Sequence, residues 1–127
     1  MRPALRRASL LAAAGAVALA LVGVSPAPAA APAKSATVSI NDFYFGPTAV
    51  TIKKGGSVKW VWSDANTYPH DVHLKSGPAG LKQKGSYSTK TSAVTDARFQ
   101  RSFPTPGTYK FICTIHPQMK MTVTVTK

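Results

Sequence analysis

Cysteine and acidic side chains are scarce in this sequence of 127 residues. The single cysteine, Cys113, excludes a disulfide within the chain, so its thiol must have a role other than disulfide formation within this chain. The four acidic residues are spread along the chain and offer no evident acid and base pair, which argues against acid–base catalysis. We therefore expect a protein that is not an enzyme.

A long apolar run occurs only at the N-terminus. Arg2, Arg6 and Arg7 form a basic region, residues 10–24 are apolar, and small-residue cleavage sites follow. This order predicts a cleaved signal peptide over residues 1–33 and export to the periplasm, the cell envelope or the medium. The alternative is an uncleaved membrane anchor, because the run is near the lower length limit for a transmembrane helix. Membrane association is expected only if this segment is retained.

Basic residues dominate the remaining chain. Three of the 16 Lys and Arg residues lie in the predicted signal peptide, so residues 34–127 carry 13 basic residues against 4 acidic ones, about +9. Such a surface attracts acidic partners or anionic surfaces over long range. The lysines are scattered, and no arginine-rich stripe interleaved with aromatics is present, so nucleic acid is not an expected partner.

Short alternating segments separated by Gly, Pro and Asn make up residues 34–127, which we expect to form one domain. Strands are predicted over residues 37–43, 48–52, 57–62, 70–74, 97–103, 107–113 and 121–126. KKGG, residues 53–56, predicts a hairpin turn, and residues 76–95 predict a long surface loop. Seven or so short strands in fewer than a hundred residues are typical of an antiparallel β-sandwich.

Alternation along the predicted strands indicates which side chains face the core. Trp60 and Trp62 lie two residues apart on one strand, so we expect them in the core and not in a binding platform. Tyr109 and Phe111 share a face with Cys113. Cys113 is therefore expected at the inward-facing end of a strand.

The stretch CTIHPQMKM, residues 113–121, places the cysteine near a histidine and two methionines. A free thiol in an exported protein is prone to oxidation or wrong pairing, and a bound metal would protect it. Cys113, His116 and either Met119 or Met121 lie on one loop between two strands. Copper that alternates between Cu(I) and Cu(II) needs such donors: a thiolate, two imidazoles and a weak axial ligand.

The second imidazole must come from another segment. NTYPHDVHL, residues 66–74, offers His70 and His73. Because side chains alternate along a strand, these two histidines point to opposite faces, and at most one of them faces the site.

Two motifs resemble those of a known family. GTYKFICTIHPQMKMTVTV, residues 107–125, resembles the C-terminal motif of the cupredoxins, the small blue copper proteins, in which G-x-Y-x-F-x-C-x-x-H precedes a methionine and a final strand. ANTYPHDVHL, residues 65–74, resembles their first ligand segment, in which a histidine follows proline and begins a strand. The short ligand loop looks most like the amicyanin type within the plastocyanin group. The resemblance extends over essentially the whole chain behind the signal peptide.

The resemblance implies a Greek-key β-sandwich of seven or eight strands that binds one type 1 copper ion. Its ligands would be His70, Cys113, His116 and one methionine, whereas His73 matches a position that is not a ligand. The implied function is that of an exported one-electron carrier between larger redox proteins, and a monomer is expected. With the excess of basic residues, we expect these partners to have acidic docking surfaces.

Electrons would pass through the second ligand histidine to the surface, at an exit lined by Ile115, Pro117 and Met119. Two residues depart from the family's pattern: Asp71 stands where asparagine is usual, and Ile115 where proline is common. Neither departure touches a ligand, but second-shell contacts tune the reduction potential.

The choice of axial methionine follows from loop lengths known in the family. Met119 gives the spacing C-x2-H-x2-M, and Met121 gives C-x2-H-x4-M. In both loop types an inward valine comes four residues after the methionine, and Val123 stands four residues after Met119. We therefore predict Met119 as the axial ligand and Met121 as the first residue of the final strand.

Two alternatives to electron transfer remain open from the sequence. The same fold can serve as a copper carrier or scavenger, which extra exposed methionine or histidine side chains would favour; Met121 and His73 are the available ones. An immunoglobulin-like interaction module with a chance set of ligands is the second alternative.

Overall fold

The computed structural model describes residues 14–26 and 31–127. Residues 14–26 form neither helix nor strand, and the rest of the predicted signal peptide falls largely outside the described residues. Within the described ranges, no helix combines the length and the apolar character needed to cross a membrane.

The architecture is all-β, as predicted, with seven strands in the described part of the chain. The strands are β1 (Ala33–Asn41), β2 (Tyr44–Gly46), β3 (Ala49–Trp62), β4 (His73–Ser76), β5 (Arg98–Ser102), β6 (Gly107–Ile112) and β7 (Lys120–Thr126). The predicted loop over residues 76–95 is mostly irregular and contains one 3₁₀ turn, Lys84–Tyr87. Leu81 and Tyr87 are buried, so this segment is anchored to the core by two apolar side chains.

The long strand β3 joins the two layers of the sandwich. The strand order is β2-β1-β3-β7-β6-β4, and β5 pairs with β3. The first part of β3 pairs with β7, and its last part pairs with β5 and β1. The β1–β3 and β3–β7 ladders are parallel, and the other four are antiparallel. The long parallel connections follow from a chain that crosses between layers instead of turning back directly.

The predicted hairpin turn at KKGG is wrong, because residues 53–56 lie inside β3. The pairing register between β1 and β3 shifts here. Gly55 adopts φ +80°, and a Cβ on Gly56 would lie 2.6 Å from the carbonyl oxygen of Lys34. Gly55 N donates to Phe103 O, and Phe103 N donates to Gly56 O, both at 2.8 Å. The glycines therefore form a bulge that bends β3, and a bulge uses the same residue type as a turn.

Two other strand boundaries differ from the prediction at positions that matter for function. β1 ends at Asn41, so Phe43 lies in the turn before β2, with φ 72°. β4 begins at His73, whereas His70 makes only an isolated bridge with Ala93. His70 thus sits on a segment that precedes the strand, held by backbone hydrogen bonds to Ala93 in both directions.

The core lies between the two layers and is centred on Trp60, which is fully buried, as is Phe111. The Trp60 ring centroid lies 5.0 Å from that of Phe111 on β6 and 5.5 Å from that of Phe99 on β5. Trp62 is also buried. The prediction that both tryptophans belong to the core is confirmed.

Candidate metal centre

Three ligand-type side chains converge at one end of the sandwich. The donor atoms of His70, Cys113 and His116 all lie within 4.8 Å of one another. Nδ1 of His70 is 3.1 Å from Nδ1 of His116, which in turn is 3.9 Å from Sγ of Cys113. His70 and Cys113 are fully buried, and His116 is half-buried. In residues 14–26 and 31–127, no other group of three His, Cys, Asp or Glu side chains comes as close together.

Strand alternation delivers the thiol to this cluster. Tyr109, Phe111 and Cys113 are all fully buried on one face, so the expected inward orientation of Cys113 is confirmed. β6 ends one residue before it. The following loop is tied back on itself, because Met119 N donates to His116 O at 2.9 Å and Cys113 N donates to Met119 O at 3.1 Å. The loop geometry is therefore fixed by backbone contacts within the ligand segment.

The structure distinguishes the two candidate histidines of the first ligand segment. Trp62 Nε1 donates to the carbonyl oxygen of His70 at 3.1 Å, which fixes the backbone at the ligand position. The side chain of His73 is 40% exposed and lies 3.9 Å from Asp71 Oδ2, outside the cluster. As expected, only one of the two histidines faces the site, although His70 precedes β4 and does not share a strand with His73.

The two methionines occupy different environments. Met121 lies in β7 opposite Phe111, and its Sδ accepts a hydrogen bond from Trp60 Nε1 at 3.1 Å. Its sulfur is therefore directed at the core. Met119 lies in the ligand loop, is 1% exposed and is held by the two backbone hydrogen bonds described above.

Asp71 connects the two ligand segments. Its Oδ1 accepts a hydrogen bond from Thr114 N at 2.7 Å, and its Oδ2 accepts one from Thr114 Oγ1. Thr114 directly follows the cysteine, so the contact fixes the first ligand segment against the second. Asp71 stands where asparagine is usual in the family, so in this chain a carboxylate connects the two ligand segments.

Asp42 is a site residue that the sequence analysis missed. Its Oδ1 lies 2.9 Å from Nε2 of His70, and its oxygens also accept hydrogen bonds from Thr67 N, Thr67 Oγ1 and Tyr68 N at 2.9–3.2 Å. The hydrogen bond with His70 is the main reason that the pKa of Asp42 lies well below its usual range, although burial acts in the opposite direction. The only feature of the sequence that could have pointed to Asp42 is that it is one of just four acidic residues in a basic chain.

Exposed apolar side chains surround His116. The Phe43 and Tyr68 rings lie 5.1 Å and 6.3 Å from the His116 ring, both edge-on, and Ile115 is also exposed. Of the predicted exit residues, Ile115 and Pro117 are exposed. The prediction is wrong for Met119, because this side chain is buried beneath the loop. Phe43 and Tyr68 come from two distant segments, so no local pattern pointed to them.

Comparisons with known proteins agree with this geometry. Residues 32–126 match the family model described as copper binding proteins, plastocyanin/azurin family. The chain is 38% identical to amicyanin-alpha of Methylorubrum extorquens over 122 residues, which cover 96% of this chain and 98% of that protein.

Two solved structures share the fold. Plastocyanin from Dryopteris crassirhizoma matches with a TM-score of 0.59 and 27% identity over 71% of this chain and 99% of the fern protein. A copper-containing nitrite reductase from Thermus scotoductus matches with a TM-score of 0.60 and 26% identity, over 82% of this chain but only 25% of the reductase. On the family match, the relatives and the clustered side chains together, the chain belongs to the plastocyanin/azurin family of copper-binding proteins.

Proposed function

We propose that this protein is a small blue copper protein, exported from the cell, that carries one electron at a time between larger redox proteins. The observation that carries the proposal is the convergence of two imidazole Nδ1 atoms and one thiol within 4.8 Å, with one of the imidazoles reaching a rim of exposed apolar side chains. The family match and the amicyanin and plastocyanin relatives support the same function.

The ligands in this proposal are His70, Cys113, His116 and Met119. A thiolate, two imidazoles and a thioether are the donor set that suits copper in a one-electron site. The thioether of Met121 is left out, because its sulfur already accepts the hydrogen bond from Trp60. The bound copper supplies the change between Cu(I) and Cu(II).

A site that serves both oxidation states needs ligands held in place, and this chain would hold them through its own contacts. The ligand loop is closed by the backbone contacts of Met119, and Asp71 fixes the two ligand segments against each other. Both buried ligands, His70 and Cys113, lie against the packed core. Electron exchange with a partner would use His116, because it is the ligand that is only half-buried.

The chain itself supports the proposal that the protein is not an enzyme. The nitrite reductase match covers a quarter of the reductase, so that enzyme's activity does not extend to this chain. Two of the four acids, Asp42 and Asp71, are committed to hydrogen bonds around the cluster and are unsuited to proton transfer with a substrate.

A copper carrier on the same fold is the less favoured function. Such a carrier would gain from additional exposed metal-binding side chains close to the site. Met121, one of the two candidates, is buried with its sulfur facing Trp60. His73 alone remains, and its ring faces Asp71.

Acidic docking surfaces on the partner fit the charge distribution. The outer face of strands β4, β6 and β7 carries the exposed side chains of Lys75, Lys110 and Lys120. None of the four acids of the sequence lies on these three strands. Since Cys113 follows β6 directly and Met119 directly precedes β7, this lysine face adjoins the ligand loop. Opposite charge on a partner would therefore speed its encounter near the copper.

The absorption spectrum of the Cu(II)-loaded protein tests the function. We expect an intense blue band from thiolate-to-copper charge transfer, and a reversible one-electron couple in voltammetry. Cys113→Ser should remove the band, while His73→Ala, a histidine outside the cluster, should keep it. Wild-type protein with only the pale absorption of ordinary tetragonal copper would contradict the proposal.

A further inference from the structure

Asp42 contacts the side of His70 that faces away from the cluster. Its Oδ1 lies 2.9 Å from Nε2, while Nδ1 of the same ring points at His116. The His70 ring is fully buried, and the Asp42 side chain is 25% exposed. An ionised carboxylate can only accept hydrogen bonds, so this contact requires a proton on Nε2. The lone pair of a neutral imidazole is then on Nδ1, the atom that faces the cluster.

The position of the Asp42 carboxylate is itself fixed by the segment that leads to the ligand. Oδ2 accepts hydrogen bonds from Thr67 N and Thr67 Oγ1, each at 2.9 Å, and Oδ1 also accepts one from Tyr68 N at 3.2 Å. Asp42 stands just after β1, 28 residues before His70. The carboxylate therefore anchors the first ligand segment to a different strand of the sandwich and presents a negative charge to the ligand ring.

We propose that Asp42 is a positioning residue for the copper centre: it selects the Nε2–H tautomer of His70 and favours Cu(II) over Cu(I). This inference rests on the proposed copper function. An anion hydrogen-bonded to the far nitrogen of a ligand imidazole makes the near nitrogen a stronger donor. A stronger donor, and the negative charge behind it, stabilise the more highly charged ion more. The carboxylate therefore lowers the reduction potential of the site.

The test compares Asp42→Asn with Asp64→Asn. The first variant removes the charge facing His70 but keeps an oxygen that can accept from Thr67. The second removes the same charge from an exposed position, so both variants have the same net charge. We expect Asp42→Asn to weaken Cu(II) binding about 10–100-fold, with a smaller loss for Cu(I). Each tenfold difference between the two losses raises the potential by about 59 mV.

Thr67→Val separates the charge from the anchoring of the segment. It removes the hydroxyl contact with Asp42 but leaves the carboxylate on His70, so the potential should stay near that of wild type. The inference is wrong if Asp42→Asn moves the potential no more than Asp64→Asn does. It is also wrong if Thr67→Val moves the potential as far as Asp42→Asn.

A second measurement needs neither a variant nor a blue protein. ¹⁵N NMR of metal-free wild-type protein, with the imidazole of His70 in its neutral form, should show the proton on Nε2. A proton on Nδ1 would overturn the inference whether or not copper binds. Absence of the blue band would instead count against the proposed function, so the two failures are distinguishable.

Discussion

Replacing each methionine by leucine should affect two different properties of the protein. Leucine has nearly the volume of methionine, so the packing cost of either change is expected to stay below about 1.5 kcal/mol. At position 121, leucine also removes the acceptor for Trp60 Nε1, in a fully buried environment. A buried donor left unpaired costs about 1–3 kcal/mol, and a sulfur acceptor places this case at the lower end.

Met121→Leu should therefore lower the free energy of unfolding of the metal-free protein by about 1–3 kcal/mol and leave the blue band and the potential nearly unchanged. In a domain of this size, 1 kcal/mol corresponds to a shift in Tm of about 4–8 °C. Met119→Leu should do the opposite: it changes the spectrum and the potential markedly, because the axial ligand tunes both, with a small effect on metal-free stability.

Urea unfolding of the metal-free variants, with voltammetry of the copper-loaded ones, measures both properties. Trp60→Phe provides the matched background, since it removes the donor while it keeps an aromatic ring at the centre of the core. In that background, Met121→Leu should cost only its packing term. A marked shift in potential for Met121→Leu, with none for Met119→Leu, would show that the axial ligand was assigned to the wrong residue.

Three further outcomes are expected. Electron transfer to an acidic redox partner should slow as ionic strength rises. Lys110→Glu on β6 should reduce this salt dependence more than Lys53→Glu on β3. A rate that does not depend on salt would exclude electrostatic steering of the partner. Gly56→Ala should destabilise the protein by about 1–3 kcal/mol, because the added Cβ would lie 2.6 Å from the carbonyl oxygen of Lys34. Gly85→Ala should have no such effect, because the space around Gly85 is open. Equal unfolding midpoints for the two variants would refute the bulge. Burial raises the pKa of Tyr87 and Tyr109 above the ordinary 10.0, so the folded state keeps these protons to a higher pH than the unfolded state does. The free energy of unfolding should therefore be undiminished below about pH 10 and should fall as pH rises through the folded-state pKa values. Denaturant titrations at about pH 9–12 should show this fall, and it should be smaller in Tyr109→Phe.

Local patterns predicted most of the strands and the side chains that face the core, but they missed β2 and divided β3 into two strands. Alternation in SVKWVW and GTYKFIC predicted that Trp60, Trp62 and Cys113 are buried, and the structure agrees. Alternation depends only on backbone geometry within one strand, so it can be read from the sequence before the fold is known. The same argument indicated that at most one of His70 and His73 faces the cluster, although it could not say which one.

Patterns with more than one structural solution were not decided by the sequence. KKGG is compatible with a hairpin turn and with a bulge, because glycine supplies unusual backbone conformations in both. The bulge forms since β1 and Phe103 provide partners for the extended backbone of β3. Those partners lie far away in the chain, so only the assembled sheet shows them.

Some features of the candidate site likewise followed from the sequence, and others depend on the tertiary structure. The sequence alone determined that Cys113 and His116 share a short loop, because three-residue spacing places both side chains within reach of one ion. Tertiary structure brought His70 to that loop and placed Asp42 behind it, and it directed the sulfur of Met121 towards Trp60, 61 residues earlier in the chain. Such contacts depend on how strands from different parts of the chain are packed together, and a side chain's neighbours in space cannot be read from its neighbours in sequence.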